Sequence, residues 1–311
     1  MVMQAISPSP GVVFRDVRPA WPGHMFTILG IVIGLICIFT GFALHGGNFG
    51  VFVAAWTEYI VIGGAAVGIF LAANGMDVMM KSIAAVLGIL KPDPFTKAEF
   101  LRLLTLLYQI FNVARRDGLL GIEAHLEDPH KSKILGSNHV FSHNHHASSF
   151  FCDTMKVIVS GGVKPHDLSD MMEMDLDQSH AEQAIITDAI QNVGDAMPAV
   201  GIIACVLGVV ITMGKIGGEA AAIGYAIGLA LVGTMVGVLA AYLIFFPITR
   251  AISLRQRTEA QYLNCIRHAI FSFARGEAPM TCIEFARRNI DPSLRPEFGE
   301  MEKTVKAAAK A

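Results

Sequence analysis

The chain has 311 residues, 53% of them hydrophobic and 16% charged, with a formal net charge of −2. That balance excludes a nucleic-acid binder built on a basic surface. The five cysteines, Cys37, Cys152, Cys205, Cys265 and Cys282, are odd in number and fall in apolar or internal segments, so no disulfide framework is expected.

Residues 1–22 hold four prolines and two arginines and no small-residue cleavage site, which predicts a cytoplasmic arm rather than a removed signal. Four apolar runs of low charge follow at 25–44, 58–73, 196–213 and 220–246. A bilayer span needs about 20 such residues. The second run is short and reaches that length if 51–57 joins it. Arg15 and Arg18 precede the first run, ten basic residues lie between the second and third, and eleven follow the fourth. Only Lys215 falls in the other connections. The positive-inside rule places both termini and the middle segment in the cytoplasm.

The two external connections, HGGNFG (45–50) and GKIGGE (214–219), are glycine-rich turns, so the spans pair into two hairpins. The predicted organisation is a cytoplasmic arm (1–22), a transmembrane hairpin (23–73), a cytoplasmic helical domain (74–194), a second hairpin (195–247) and a cytoplasmic helical segment (248–311). The fold class is an all-α integral membrane protein with four transmembrane helices.

Within the cytoplasmic part, apolar residues recur at helical spacing over 97–116, and Thr96 with Glu99 forms a capping-box pattern. Residues 179–196 form an amphipathic helix leading into the third span, and 260–273 form another. No stretch alternates as a strand does.

Glu58 marks the outer end of the second span, and no carboxylate is expected at mid-bilayer on this chain. A self-contained proton relay would need one, so this chain either moves no ions or borrows a titrating group from a partner helix. Small-xxx-small pairs at Gly30/Gly34, Gly64/Gly68, Gly224/Gly228 and Gly233/Gly237 allow close helix packing, within the subunit or between neighbours. Cys205 and Thr234 both lie about 18–22 Å from the outer turn, at 1.5 Å per residue. They face a common cavity, or Thr234 bonds back to its own helix. Pro198 and Pro247 mark the inner ends of spans three and four, as hinges or as helix boundaries.

Other signals point nowhere specific. His139 and His143 have i, i+4 spacing, but no cysteine or carboxylate completes a metal set. The run 171–177 lacks the spacing and glycine of a calcium loop. No nucleophile–base constellation or phosphate loop indicates an enzyme, and no cofactor is implied.

The chain resembles the MotA/PomA family of flagellar stator subunits from residue 24 onward. The resemblance rests on GDAMPAVGIIACVLGVV (194–210), VGTMVGVLAAYLIFFP (232–247), ARRDGLLGIEAHLEDP (114–129) and TEYIVIGGAAVG (57–68). It implies a pentamer around two copies of a single-span, peptidoglycan-binding partner of MotB type, whose membrane helix carries the ion-binding aspartate. Ion flow would turn the pentamer, whose cytoplasmic face pushes on the rotor protein FliG. By the same resemblance, Pro198 and Pro247 match the coupling prolines, Arg115 and Glu123 the rotor contact, and Thr234 an ion-path hydroxyl. Cys205 stands where sodium-driven relatives carry a second threonine. A thiol is a poor ligand for a hard cation, which favours protons over sodium. The competing expectations are an ExbB-like energiser, usually of three spans, and a membrane scaffold without ion flow.

Overall fold

The computed structural model describes residues 23–214 and 216–308. The predicted arm, 1–22, lies outside the described residues. Twelve α-helices make up most of the described chain, and no strand occurs among the described residues.

The first span is α1 (Gly23–Leu44). A five-residue helix, α2 (Gly50–Ala54), then breaks at Ala55, and α3 (Trp56–Gly88) begins beyond it. Residues 51–57 therefore do not extend the second span as one helix. Four phenylalanines hold this corner: the Phe42 ring meets Phe52 at 5.1 Å and Phe49 at 5.4 Å, and Phe39 meets Phe52 at 5.5 Å, all edge-on.

The remaining long helices are α4 (Lys97–Arg116), α7 (His145–Ser160), α8 (Pro165–Met213), α9 (Ala220–Leu239) and α10 (Phe246–Ala274). Short helices α5 (Glu123–Glu127) and α6 (His139–His143) lie between α4 and α7, and α11 (Pro279–Arg288) and α12 (Phe298–Ala308) close the chain. A π-helical turn, Ala240–Phe245, joins α9 to α10. Among the described residues four stretches are long and apolar enough to cross a membrane, within α1, α3, α8 and the continuous α9–α10 rod.

Three of these helices run well past the expected inner ends of the spans. α3 continues to Gly88, α8 starts at Pro165, and the fourth span continues to Ala274. The predicted segments 179–196 and 260–273 are thus parts of membrane-crossing helices. α3 is interrupted only at Gly75, whose φ of 72° is costly for any residue with a Cβ. An Arg255 guanidinium N–H from α10 caps the Gly88 carbonyl at its lower end.

The cytoplasmic core forms where α4 meets α10, α11 and α7. Phe100, Leu103, Leu104, Leu107, Ile110 and Phe111, the apolar face of α4, are fully buried with Tyr262, Ile266, Ile270 and Ile283. Phe111 stacks on Phe273 at 4.5 Å. Half of the expected capping box forms: Thr96 Oγ1 accepts the Glu99 N–H at 3.3 Å, while the Thr96 N–H donates to the Pro94 carbonyl and the Glu99 carboxylate turns into the core.

Glu99 is itself 2% exposed. Its carboxylate accepts from the Tyr262 hydroxyl at 3.4 Å and from Arg102 at 3.5 Å. Burial holds its pKa above the ordinary 4.5, opposed by the Asn138 amide, Arg102 and Tyr262. A raised carboxyl binds its proton more tightly in the folded state. Its stabilisation is therefore complete below 4.5 and is lost as pH rises through the raised value. Glu99→Gln should remove that slope and raise the neutral-pH Tm by a few degrees. Thermal unfolding of the detergent-solubilised protein from acid to neutral pH measures it; parallel pH slopes for parent and variant would refute the assignment.

Candidate functional site

The membrane part of α8 packs along α9, with α3 against both, and their shared core is Ile62, Val193, Met197, Val200, Ala204 and Ala241. Glycine lets the α8 and α9 backbones touch. A Cβ placed on Gly237 would lie 2.6 Å from the Met197 carbonyl oxygen and 2.8 Å from Gly201 Cα. One on Gly201 would lie 2.9 Å from the Gly233 carbonyl oxygen. The pair Gly233/Gly237 therefore packs inside the subunit. Gly34 also does, against Leu243. Gly30, Gly64, Gly68, Gly224 and Gly228 have none of the described residues of other elements within 4 Å of such a Cβ, and their faces are open.

Thr234 and Cys205 lie on this α8–α9 contact, each half-buried. Thr234 Oγ1 donates across to the Gly201 carbonyl at 3.5 Å, not back to its own helix. At that length the hydroxyl retains most of its capacity for another partner. Cys205 stands four residues, or about 6 Å, outward of Gly201 on α8. The two expected path residues are therefore about one helical turn apart, facing the same inter-helix contact.

Neither proline ends a helix. α8 passes through Pro198 without interruption. Pro247 sits in the first turn of α10, directly after the π turn. A proline removes an N–H and crowds the carbonyl four residues earlier, and a widened π turn relieves that crowding. The residue whose carbonyl loses its donor at Pro198 is Gly194, four positions earlier. A Cβ on Gly194 would lie 2.8 Å from Phe245 Cβ, in the π turn. The two proline-disturbed stretches therefore rest directly on each other, which sequence spacing did not reveal.

Below the membrane a polar clamp fixes α8 to α10 and α7. Thr187 donates to Gln256 Oε1 at 2.8 Å, Gln256 to the Gln183 carbonyl at 3.0 Å, and Gln183 to Glu259 at 3.3 Å. Asn144 donates to the other Glu259 oxygen at 2.8 Å. The two bonds to Glu259 are charge-assisted, and together the four resist shear between helices.

At the far end of α4, Arg115, Arg116 and Glu123 are exposed. Arg116 pairs with Asp117 at 2.8 Å, while Arg115 donates to the Glu277 carbonyl at 3.2 Å. Arg115 and Glu123 thus do not pair with each other, and Leu120, 75% exposed, sits between them in sequence. Among the described residues no group of three or more His, Cys, Asp or Glu is placed to hold a metal. The His139 and His143 rings merely stack at 3.9 Å.

One group departs from the sequence expectation. Glu58 does not simply mark an outer rim. Its carboxylate reaches into the crevice between α8 and α9, where a Cβ on Gly233 would lie 3.1 Å from Oε2 and one on Gly208 would lie 3.5 Å from Oε1. The signal was present in the sequence, because an ionisable residue within a span is by default functional.

Comparison with known proteins follows this geometry. The family described as Motility protein A N-terminal matches residues 28–118, and the MotA/TolQ/ExbB proton channel family matches residues 142–264. Motility protein A of Escherichia coli is 29% identical over 283 residues, covering 91% of this chain and 96% of the relative. Motility protein A of Salmonella typhimurium is 28% identical with the same coverage. Chemotaxis protein LafT of Vibrio parahaemolyticus is 29% identical, covering 90% and 98%. The C. jejuni MotAB structure shares the fold at a TM-score of 0.69 and 19% identity, covering 86% of this chain and 98% of that one. With one family model spanning α1 to α4, the other running from α7 into α10, and relatives aligned over 96% of their own length, the chain belongs to the MotA/TolQ/ExbB proton channel family, in its motility protein A line.

Proposed function

We propose that this chain is the ion-conducting stator subunit of a bacterial flagellar motor, seated in the inner membrane with both termini cytoplasmic. It couples proton flow, in complex with a single-span MotB-type partner, to torque on the rotor protein FliG. The expected complex has five copies of this chain around two of the partner. The observation that carries this reading is mechanical. One unbroken helix, α8, runs from the Cys205 level through Pro198 to the cytoplasmic domain that presents Arg115 and Glu123.

Cys205 and Thr234 line the pathway in this reading. A charge crossing 100 mV releases about 2.3 kcal/mol. That is enough to bias two arrangements of the packed prolines Pro198 and Pro247. The movement passes down α8 and α10 through the Thr187–Gln256–Gln183–Glu259 clamp. Four membrane-length stretches among the described residues weigh against the usual three-span energiser.

Swimming speed of cells that express this chain with its cognate partner tests the reading. Speed that ignores sodium and collapses with a protonophore is the expected result. Speed that tracks sodium would overturn the choice of ion. Absence of motility from an assembled complex would overturn the stator function.

A further inference from the structure

We infer that Glu58 is a proton-relay group of the outer half of the pathway, handing protons inward toward the level of Cys205 and Thr234. The inference rests on the proposed ion-conducting function and adds a titrating group on this chain to it. Three observations carry it. First, the carboxylate is flanked by the two glycines, Gly208 on α8 and Gly233 on α9, whose missing side chains leave it room between the helices. Second, the same built Cβ on Gly233 that meets Glu58 Oε2 at 3.1 Å lies 3.3 Å from the Cys205 backbone nitrogen, so the carboxylate adjoins the Cys205 turn. Third, the half-buried carboxylate has no hydrogen bond or ion pair with any other described residue. A carboxylate used only for packing or capping in an apolar span would be expected to hold a protein partner.

The chemistry is a simple exchange. A hydronium on the outer side gives its proton to one Glu58 oxygen, leaving water and a neutral carboxylic acid. That acid passes the proton to the next acceptor inward, a water or the partner's carboxylate, and returns to the anion. A single carboxylate flanked by glycine and a thiol-bearing turn offers too few oxygens to strip the hydration shell of sodium, so the relayed species is the proton.

The test uses the full chain with its partner, in cells and in right-side-out membrane vesicles from the same cells. The probes are swimming speed and proton uptake across a series of external pH values. Glu58→Gln is expected to lower both by at least about tenfold, in keeping with loss of a positioned proton-transfer group. Fluorescently tagged complexes should still gather at the motors. Glu58→Asp should keep most of the activity with a displaced pH profile. Gln speed and uptake close to the parent, with an unchanged pH profile, would overturn the relay. So would a Gln variant that fails because it no longer assembles while Asp behaves as the parent at every pH, which is the mark of a packing role. A parent that takes up protons but drives no swimming sinks the stator function and leaves the relay decided by uptake alone. A parent with no uptake sinks both.

Discussion

Gly237→Val should prevent a folded chain from accumulating in the membrane and abolish swimming with it. The reason is that both walls at this position are backbone. The first atom of any side chain would sit 2.6 Å from the Met197 carbonyl and 2.8 Å from Gly201 Cα, and neither can rotate away as a side chain would. Overpacking of an ordinary core costs about 1–3 kcal/mol. Separating two helix backbones along their closest contact costs more, out of a total stability of about 5–15 kcal/mol. Gly228→Val is the control, because no described residue of another element lies within 4 Å of its Cβ position. Chain level in isolated membranes, with limited proteolysis, distinguishes the two. Equal accumulation of both variants would mean that the α8–α9 contact is looser than described.

The second large effect is expected at Pro247. Pro247→Ala restores an N–H and removes the ring that crowds the Leu243 carbonyl. The π turn Ala240–Phe245 then has no reason to stay widened. Relaxing it to an α-helix removes about one residue of rotation, near 100°, between α9 and α10. Leu243 would leave Gly34 and Phe245 would leave Gly194, contacts that hold α1 and α8 to this turn. Complexes should still reach the motor but turn it at a small fraction of the parental torque. Bead-rotation speed at high load, with stator number counted by fluorescence, checks this. A variant that assembles and rotates at parental torque would remove Pro247 from the coupling step.

The sequence carried the spans, the α4 core face and the Thr96 cap because each depends on neighbours along one helix. It did not carry where the helices end. Hydropathy stops at the membrane, whereas α3, α8 and α10 continue on amphipathic patterns of their own. The same limit hid the contact between Gly194 and Phe245, which joins residues about fifty positions apart. Pro198 and Pro247 were visible as single residues; that their distortions touch is a property of helix packing. Glu58 was read correctly at the end of its span; that its carboxylate turns inward was hidden until the facing helices were known to be glycine there.

The uninterrupted length of α8 has a geometric consequence. From Pro198 to its beginning at Pro165 the helix reaches about 50 Å, at 1.5 Å per residue. A tilt of about 10° at the proline therefore sweeps the far end through roughly 9 Å, given that length. Cys205, seven residues beyond the proline on the other side and about 10 Å from it, would shift by only about 2 Å in the same tilt. In the proposed mechanism the helix would act as a gear: a short, strong displacement at the ion path would become a long, weaker one at the cytoplasmic face. Its ratio is set by where along the rod the proline stands. Moving that proline one turn outward would lengthen the stroke and weaken the push without altering any residue that meets the ion.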